Sequence, residues 1–134
     1  MPKPIVIMFA ELESFFKTDS NVIFASVFGS SKGGVVAPGS DLDIAVLFRD
    51  PPRPGDGYLG YYLRLCDVVP AIEVVDLVNL NTACTILAFE AMSGRIICKN
   101  DPGKTAAFYS LVCREYEDVI GNLDHQRWLR TQAA

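Results

Sequence analysis

The sequence predicts an α/β fold: a mixed sheet of about four strands with helices packed mainly on one face. Four short apolar runs, over residues 22–28, 41–48, 71–78 and 95–99, have strand length and lie between turn-forming residues. Segments with apolar residues at helical spacing alternate with them, over 4–17, 58–69, 83–92 and from 101 onward. The 134 residues suffice for one domain with a real core, so 1–134 reads as a single unit.

In the first helix Ile5, Met8, Phe9, Leu12, Phe15 and Phe16 form the apolar face, and Thr18 to Asn21 end it with turn residues. Residues 22–28 are β-branched, aromatic and nearly uncharged, as expected of a strand covered on both faces. Residues 35–40 read as a loop and 49–57 as a Pro/Gly loop. The next helix presents Leu59, Tyr62, Leu63, Leu65 and Cys66, and Pro70 stops it. Asn79 to Thr82 is expected to cap the helix over 83–92, which Gly94 ends. Asp101-Pro102 opens the last helix, and from Gly121 a polar, frayed tail is expected, with Trp128 free to dock.

Half the residues are apolar and about a fifth are charged, an ordinary globular composition. No run of about 18 apolar residues would span a membrane. The opening segment lacks a basic head and a small-residue cleavage site, so a cytoplasmic location is expected. Cys66, Cys84, Cys98 and Cys113 form no Cys-x-x-Cys motif, and His125 is the single histidine, so zinc is not suggested and reduced thiols are expected. A net charge of -4 argues against broad nucleic-acid binding, and phosphate chemistry would need cations to offset it.

The chain is organised around residues 24–48. An apolar strand runs into Gly29-Ser30, a glycine-rich stretch follows through Lys32 and Gly33 to Ser40, and Asp41-Leu42-Asp43 opens the next strand. Glycine lets a backbone approach a ligand closely, and free N–H groups beside a serine hydroxyl suit phosphate oxygens. Gly-Ser pairs also serve in ordinary turns. Alternation puts Asp41 and Asp43 on one strand face and Leu42, Ile44, Val46 and Phe48 on the other. Two close carboxylates repel unless a cation lies between them, and Mg²⁺ favours few carboxylates plus phosphate oxygens. The other reading has Asp41 capping a turn and Asp43 in solvent. Asp76 sits among Val74, Val75, Leu77 and Val78, a costly setting for an unpaired carboxylate unless an open strand edge hydrates it. Glu73 and Asp76 point to opposite faces, so only one can join the aspartates of the earlier strand.

Gly29-Ser30, ten residues, then Asp41-x-Asp43 resembles the signature of the DNA polymerase β-like nucleotidyltransferase superfamily. The Phe28-Gly29-Ser30 entry, the Ser40-Asp41-x-Asp43 step and the 76–81 stretch are similar to the minimal nucleotidyltransferase (MNT) group, short domains often paired as antitoxins with HEPN-domain toxins. The resemblance covers the whole chain. It implies a polymerase β-like palm, with Asp76 as third carboxylate. Gly29, Ser30, Lys32 and Ser40 are then the nucleotide-binding residues, and Asp41, Asp43 and Asp76 the catalytic, metal-binding ones. ATP is the implied substrate and Mg²⁺, in two sites, the implied cofactor.

One departure stands out. Where the family's turn often carries an arginine, this chain has Gly33, with Lys32 one position earlier. Triphosphate anchoring is expected to be weaker, or supplied by another residue. The function implied is AMP transfer from ATP to a hydroxyl, expected to be a tyrosine, of a HEPN partner. Two alternatives stand beside it: an antitoxin that acts by binding alone, and a homodimeric small-molecule nucleotidyltransferase.

Overall fold

The structure is a computed structural model that describes residues 3–7 and 9–132. The chain runs β1 (Ile5–Val6), α1 (Phe9–Lys17), β2 (Val22–Phe28), a 3₁₀ turn (Gly29–Ser31), β3 (Val35–Val36), β4 (Leu42–Phe48), α2 (Asp56–Val68), β5 (Val75–Asn79), α3 (Thr85–Met92), β6 (Arg95–Lys99) and α4 (Pro102–Gln132). The main sheet has four strands in the order β5-β4-β2-β6. β2 is antiparallel to both neighbours and β4 is parallel to β5, so the sheet is mixed, as expected.

The central strands read as continuous apolar runs because both of their faces are covered. Every residue of β2 is buried, and in β4 only Asp43 is not. On one face, Ile44, Val46 and Phe48 pack with Leu12 and Phe16 of α1 and with Tyr61 and Leu65 of α2. On the other, Phe24, Phe28, Ala45 and Leu47 meet Ala88, Ala91 and Met92 of α3 and Val112 of α4. Full burial of a side chain such as Phe16, Phe24 or Phe48 contributes about 1.5–3 kcal/mol. Buried Ser26 keeps its hydroxyl satisfied by donating to the Ala91 carbonyl at 2.8 Å, which ties β2 to α3. Thus α1 and α2 cover one face, whereas α3 and α4 pack on the β2 part of the other. The Asp43–Asp76 corner is left accessible.

The local differences from expectation have physical causes. Residues 4–17 do not form one helix: Ile5 and Val6 pair with Val36 and Val35, and α1 begins at Phe9. β-branching favours this short ladder, and Ile7 N–H extends it by donating to the Gly34 carbonyl at 2.8 Å. The same pairing places a strand inside the expected loop 35–40. Met8, expected on the helix face, lies outside the described residues. The third strand starts at Val75 rather than 71, because the chain after Val69 turns, with Ile72 N–H bonded to the Val69 carbonyl at 3.0 Å. Asn79 ends β5 instead of capping α3, whose N-cap position is Cys84. The expected frayed tail is helical, since α4 continues to Gln132.

Candidate active site

The site begins with strand register. β4 and β5 are parallel, and Asp43 stands directly across from Asp76. Strands lie about 4.8 Å apart and partners in register point to the same face, so the two carboxylates are neighbours. Asp41, one residue before β4, adds its charge to Asp43. Burial first, and then the Asp76 carboxylate, push the Asp43 pKa above its ordinary value.

Antiparallel pairing brings the end of β2 to the same corner, because Phe28 is the partner of Asp43. The next residue, Gly29, has φ +68°, a region that favours glycine. A Cβ there would lie 2.5 Å from Asp43 Oδ2, so only a bare Cα lets the turn close on the carboxylate. Ser30 is exposed beside it. Ser31 is buried, and its hydroxyl donates to the Asp41 carbonyl at 3.3 Å, joining the turn to the start of β4. Lys32 is exposed and closes the 3₁₀ turn, its N–H bonded to the Gly29 carbonyl at 3.4 Å. Ser40 is half-buried and closes a tight turn onto Ala37 at 3.0 Å, with Gly39 at φ +78°. Gly29, Ser30, Asp41, Asp43 and Asp76 therefore meet at one corner. Lys32 lies at the side of it, and Ser40 precedes Asp41 in the chain.

The carboxylate strands are held from outside. Tyr58 and Tyr62 of α2 donate their hydroxyls to the Leu77 and Val75 carbonyls, at 2.6 and 2.9 Å, and so occupy the open edge of β5. Burial, with Asp76 second, raises the Tyr58 pKa and keeps its hydroxyl a donor. At the other end of β4, Asn81 accepts from Phe48 N–H at 2.9 Å and donates to the Phe48 carbonyl at 2.8 Å. One side chain thus mimics a further strand partner.

The donor set suits a hard cation. Carboxylate oxygens meet without thiol or imidazole, a combination that fits magnesium. Among the described residues no three His, Cys, Asp or Glu side chains form a cage on their own. Magnesium typically needs only one or two carboxylates and takes its other ligands from phosphate and water.

Residues 10–103 match the family described as polymerase beta, nucleotidyltransferase. The chain belongs to that nucleotidyltransferase family. The matched segment runs from α1 into the start of α4 and holds the whole carboxylate corner. No curated protein matches the chain. Among solved structures, a chain of a toxin–antitoxin complex with AMP-PNP aligns with TM-score 0.71 and 19% identity, covering 96% of this chain and 100% of that one. A chain of a complex of tri-AMPylated Shewanella oneidensis HEPN toxin with MNT antitoxin aligns with TM-score 0.64 and 19% identity, covering 95% and 100%. An MntA–HepT toxin–antitoxin complex gives TM-score 0.62 and 19% identity, covering 94% and 97%. At such identity the likeness is one of fold, and that fold is the nucleotidyltransferase palm.

Two residues escaped the sequence reading. Ser31 looked like one more polar residue of the turn, and only its burial shows that it ties the turn to Asp41. Glu90 of α3, on the sheet face that Asp43 shares with Ala45 and Leu47, adds a smaller upward push to the Asp43 pKa. In the sequence it is an ordinary helix acid, with no local signal. Among the described residues no helix is long and apolar enough to cross a membrane.

Proposed function

We propose that this nucleotidyltransferase moves AMP from ATP onto a hydroxyl, a tyrosine by preference, of a HEPN-domain partner and thereby acts as its antitoxin. The observation that carries this is the in-register Asp43–Asp76 pair beside the Gly29 turn, with Asp41 next to it. Gly29 N–H and the Ser30 hydroxyl hold the β and γ phosphates, with Lys32 and the Ser40 region flanking them. Asp41 and Asp43, joined by Asp76, hold Mg²⁺; when bound, it neutralises the triphosphate and stabilises the entering and leaving oxygens. The acceptor oxygen attacks the α-phosphorus in line, its proton passes to Asp76, the bond from the α-phosphorus to the bridging oxygen breaks, and pyrophosphate leaves. The protein supplies position and charge, as phosphoryl-type transfers require.

A protein acceptor is favoured by what the chain leaves uncovered. α4 is about 46 Å long at 1.5 Å per residue, and beyond Tyr116 it exposes Ile120, Leu123, Trp128 and Leu129. Exposed apolar side chains gathered on one element suit a protein partner. The resemblance to chains of toxin–antitoxin complexes, one with AMP-PNP and one with an AMPylated HEPN toxin, supports the same choice.

The exposed helix also fits a second reading, neutralisation by binding alone, and Gly33 in place of the usual turn arginine agrees with it. ATP labelled at the α-phosphate separates the two. Transfer predicts label on the partner and released pyrophosphate; occlusion predicts inhibition without label and without need for ATP.

A further inference from the structure

A groove of about 370 Å³ opens beside the Gly29 turn, between that turn and helices α3 and α4. Its size falls within the range of small-molecule sites. Three kinds of group line it in sequence. Gly29 and Lys32 form the end nearest the carboxylate corner. Glu90, an exposed residue of α3, lines the groove close enough to act on Asp43. Phe89 and Tyr116 stack in parallel, with ring centroids 3.8 Å apart and planes 7° apart, as half-buried side chains. Gly94 completes the wall; a side chain there would strike the Phe28 backbone, so its absence lets the α3–β6 turn seat directly against the end of β2.

We propose that this groove holds the nucleoside part of the triphosphate, with Glu90 accepting hydrogen bonds from the ribose hydroxyls and the Phe89–Tyr116 pair flanking the base. The assignment rests on the reading of the carboxylate corner as the triphosphate site. The order of groups matches the order of a nucleotide: a cation and backbone N–H at the phosphate end, an acceptor where hydroxyl donors lie, and a flat apolar surface for a ring. A carboxylate facing phosphate would repel it, whereas one facing ribose hydroxyls gains charge-assisted hydrogen bonds.

Binding of Mg-ATP, of Mg with 2′,3′-dideoxy-ATP and of Mg with inorganic tripolyphosphate, measured by calorimetry on the full chain, tests this. The native protein is expected to bind ATP about tenfold or more tightly than the dideoxy analogue. Glu90→Ala should erase that ratio, whatever the loss of a negative charge does to both affinities, and Glu90→Gln should keep part of it. Tyr116→Ala should weaken both nucleotides and leave tripolyphosphate unchanged. A ratio that survives Glu90→Ala overturns the proposal, including the case in which only the KM for the partner rises and the groove serves the acceptor. If tripolyphosphate binds and ATP binds no tighter, the groove assignment fails while the phosphate site stands. If neither binds, the carboxylate reading fails first.

Discussion

Asp43 of β4 and Asp76 of β5 face each other as register partners in a parallel strand pair. Two carboxylates in this position repel at neutral pH, and nothing in the apolar packing below them requires acids. Burial beside a second carboxylate disfavours the charge on Asp43, and the proposed cation would relieve that cost. Replacing Asp41, Asp43 or Asp76 singly by Asn should lower nucleotidyl transfer by at least about 10²-fold, the scale of losing a preorganised electrostatic group. Far-UV circular dichroism should be unchanged.

The same pair predicts a pH dependence. Burial and Asp76 raise the Asp43 pKa above 3.8, so the folded state holds this proton more tightly than the unfolded chain. The contribution to stability is present in full below the unfolded value and is lost as pH rises through the folded one. At neutral pH ionised Asp43 therefore lowers stability. Asp43→Asn should raise the Tm of the nucleotide-free protein at neutral pH, and the advantage should vanish below pH 3.8. An equal Tm difference at both pH values would contradict the assignment.

Gly29→Ala tests the closeness of turn and carboxylate. At φ +68° a side chain costs about 1–2 kcal/mol, and the new Cβ must push Asp43 Oδ2 aside. Denaturant unfolding should show that loss, and transfer should fall far more than stability does. Gly33→Ala, with nothing near the added carbon, serves as the control.

Tyr58 and Tyr62 satisfy the β5 edge carbonyls with their hydroxyls, while their rings pack against the core. Tyr58→Phe and Tyr62→Phe should each cost about 1 kcal/mol. The double variant, with Val75 and Leu77 carbonyls bare, should also self-associate in light scattering, because an unpaired edge recruits strands. Asn81→Ala should cost about 1–3 kcal/mol, as it strands the Phe48 N–H and carbonyl.

Much of the fold is legible in the sequence, for reasons that differ from element to element. β2 and β6 appear with the bounds read from the sequence, because 22–28 and 95–99 are apolar runs with sharp turn residues on either side. Asp41 and Asp43 are visible because alternation puts two like charges on one strand face, and Asp76 because it stands among apolar residues, although the structure leaves it exposed. What stayed hidden depends on partners far away in the chain. Ile5 and Val6 look helical until Val35 and Val36 lie beside them. Asn81 reads as a cap in isolation, and its true partner is a backbone 33 residues earlier. Glu90 carries no local mark, since its meaning comes from α3 lying across β2 next to the Gly29 turn. The helix past Gly121 reads as a frayed tail because its polar, sparsely packed pattern gives no burial signal.

The most direct measurement is mass spectrometry of a purified HEPN partner after incubation with this protein, ATP and Mg²⁺. The account predicts one or more AMP additions on a hydroxyl side chain with the native chain and none with the Asp41→Asn, Asp43→Asn double variant. AMP addition that persists in the double variant, or a partner that stays unmodified while the native protein silences it, would contradict the account.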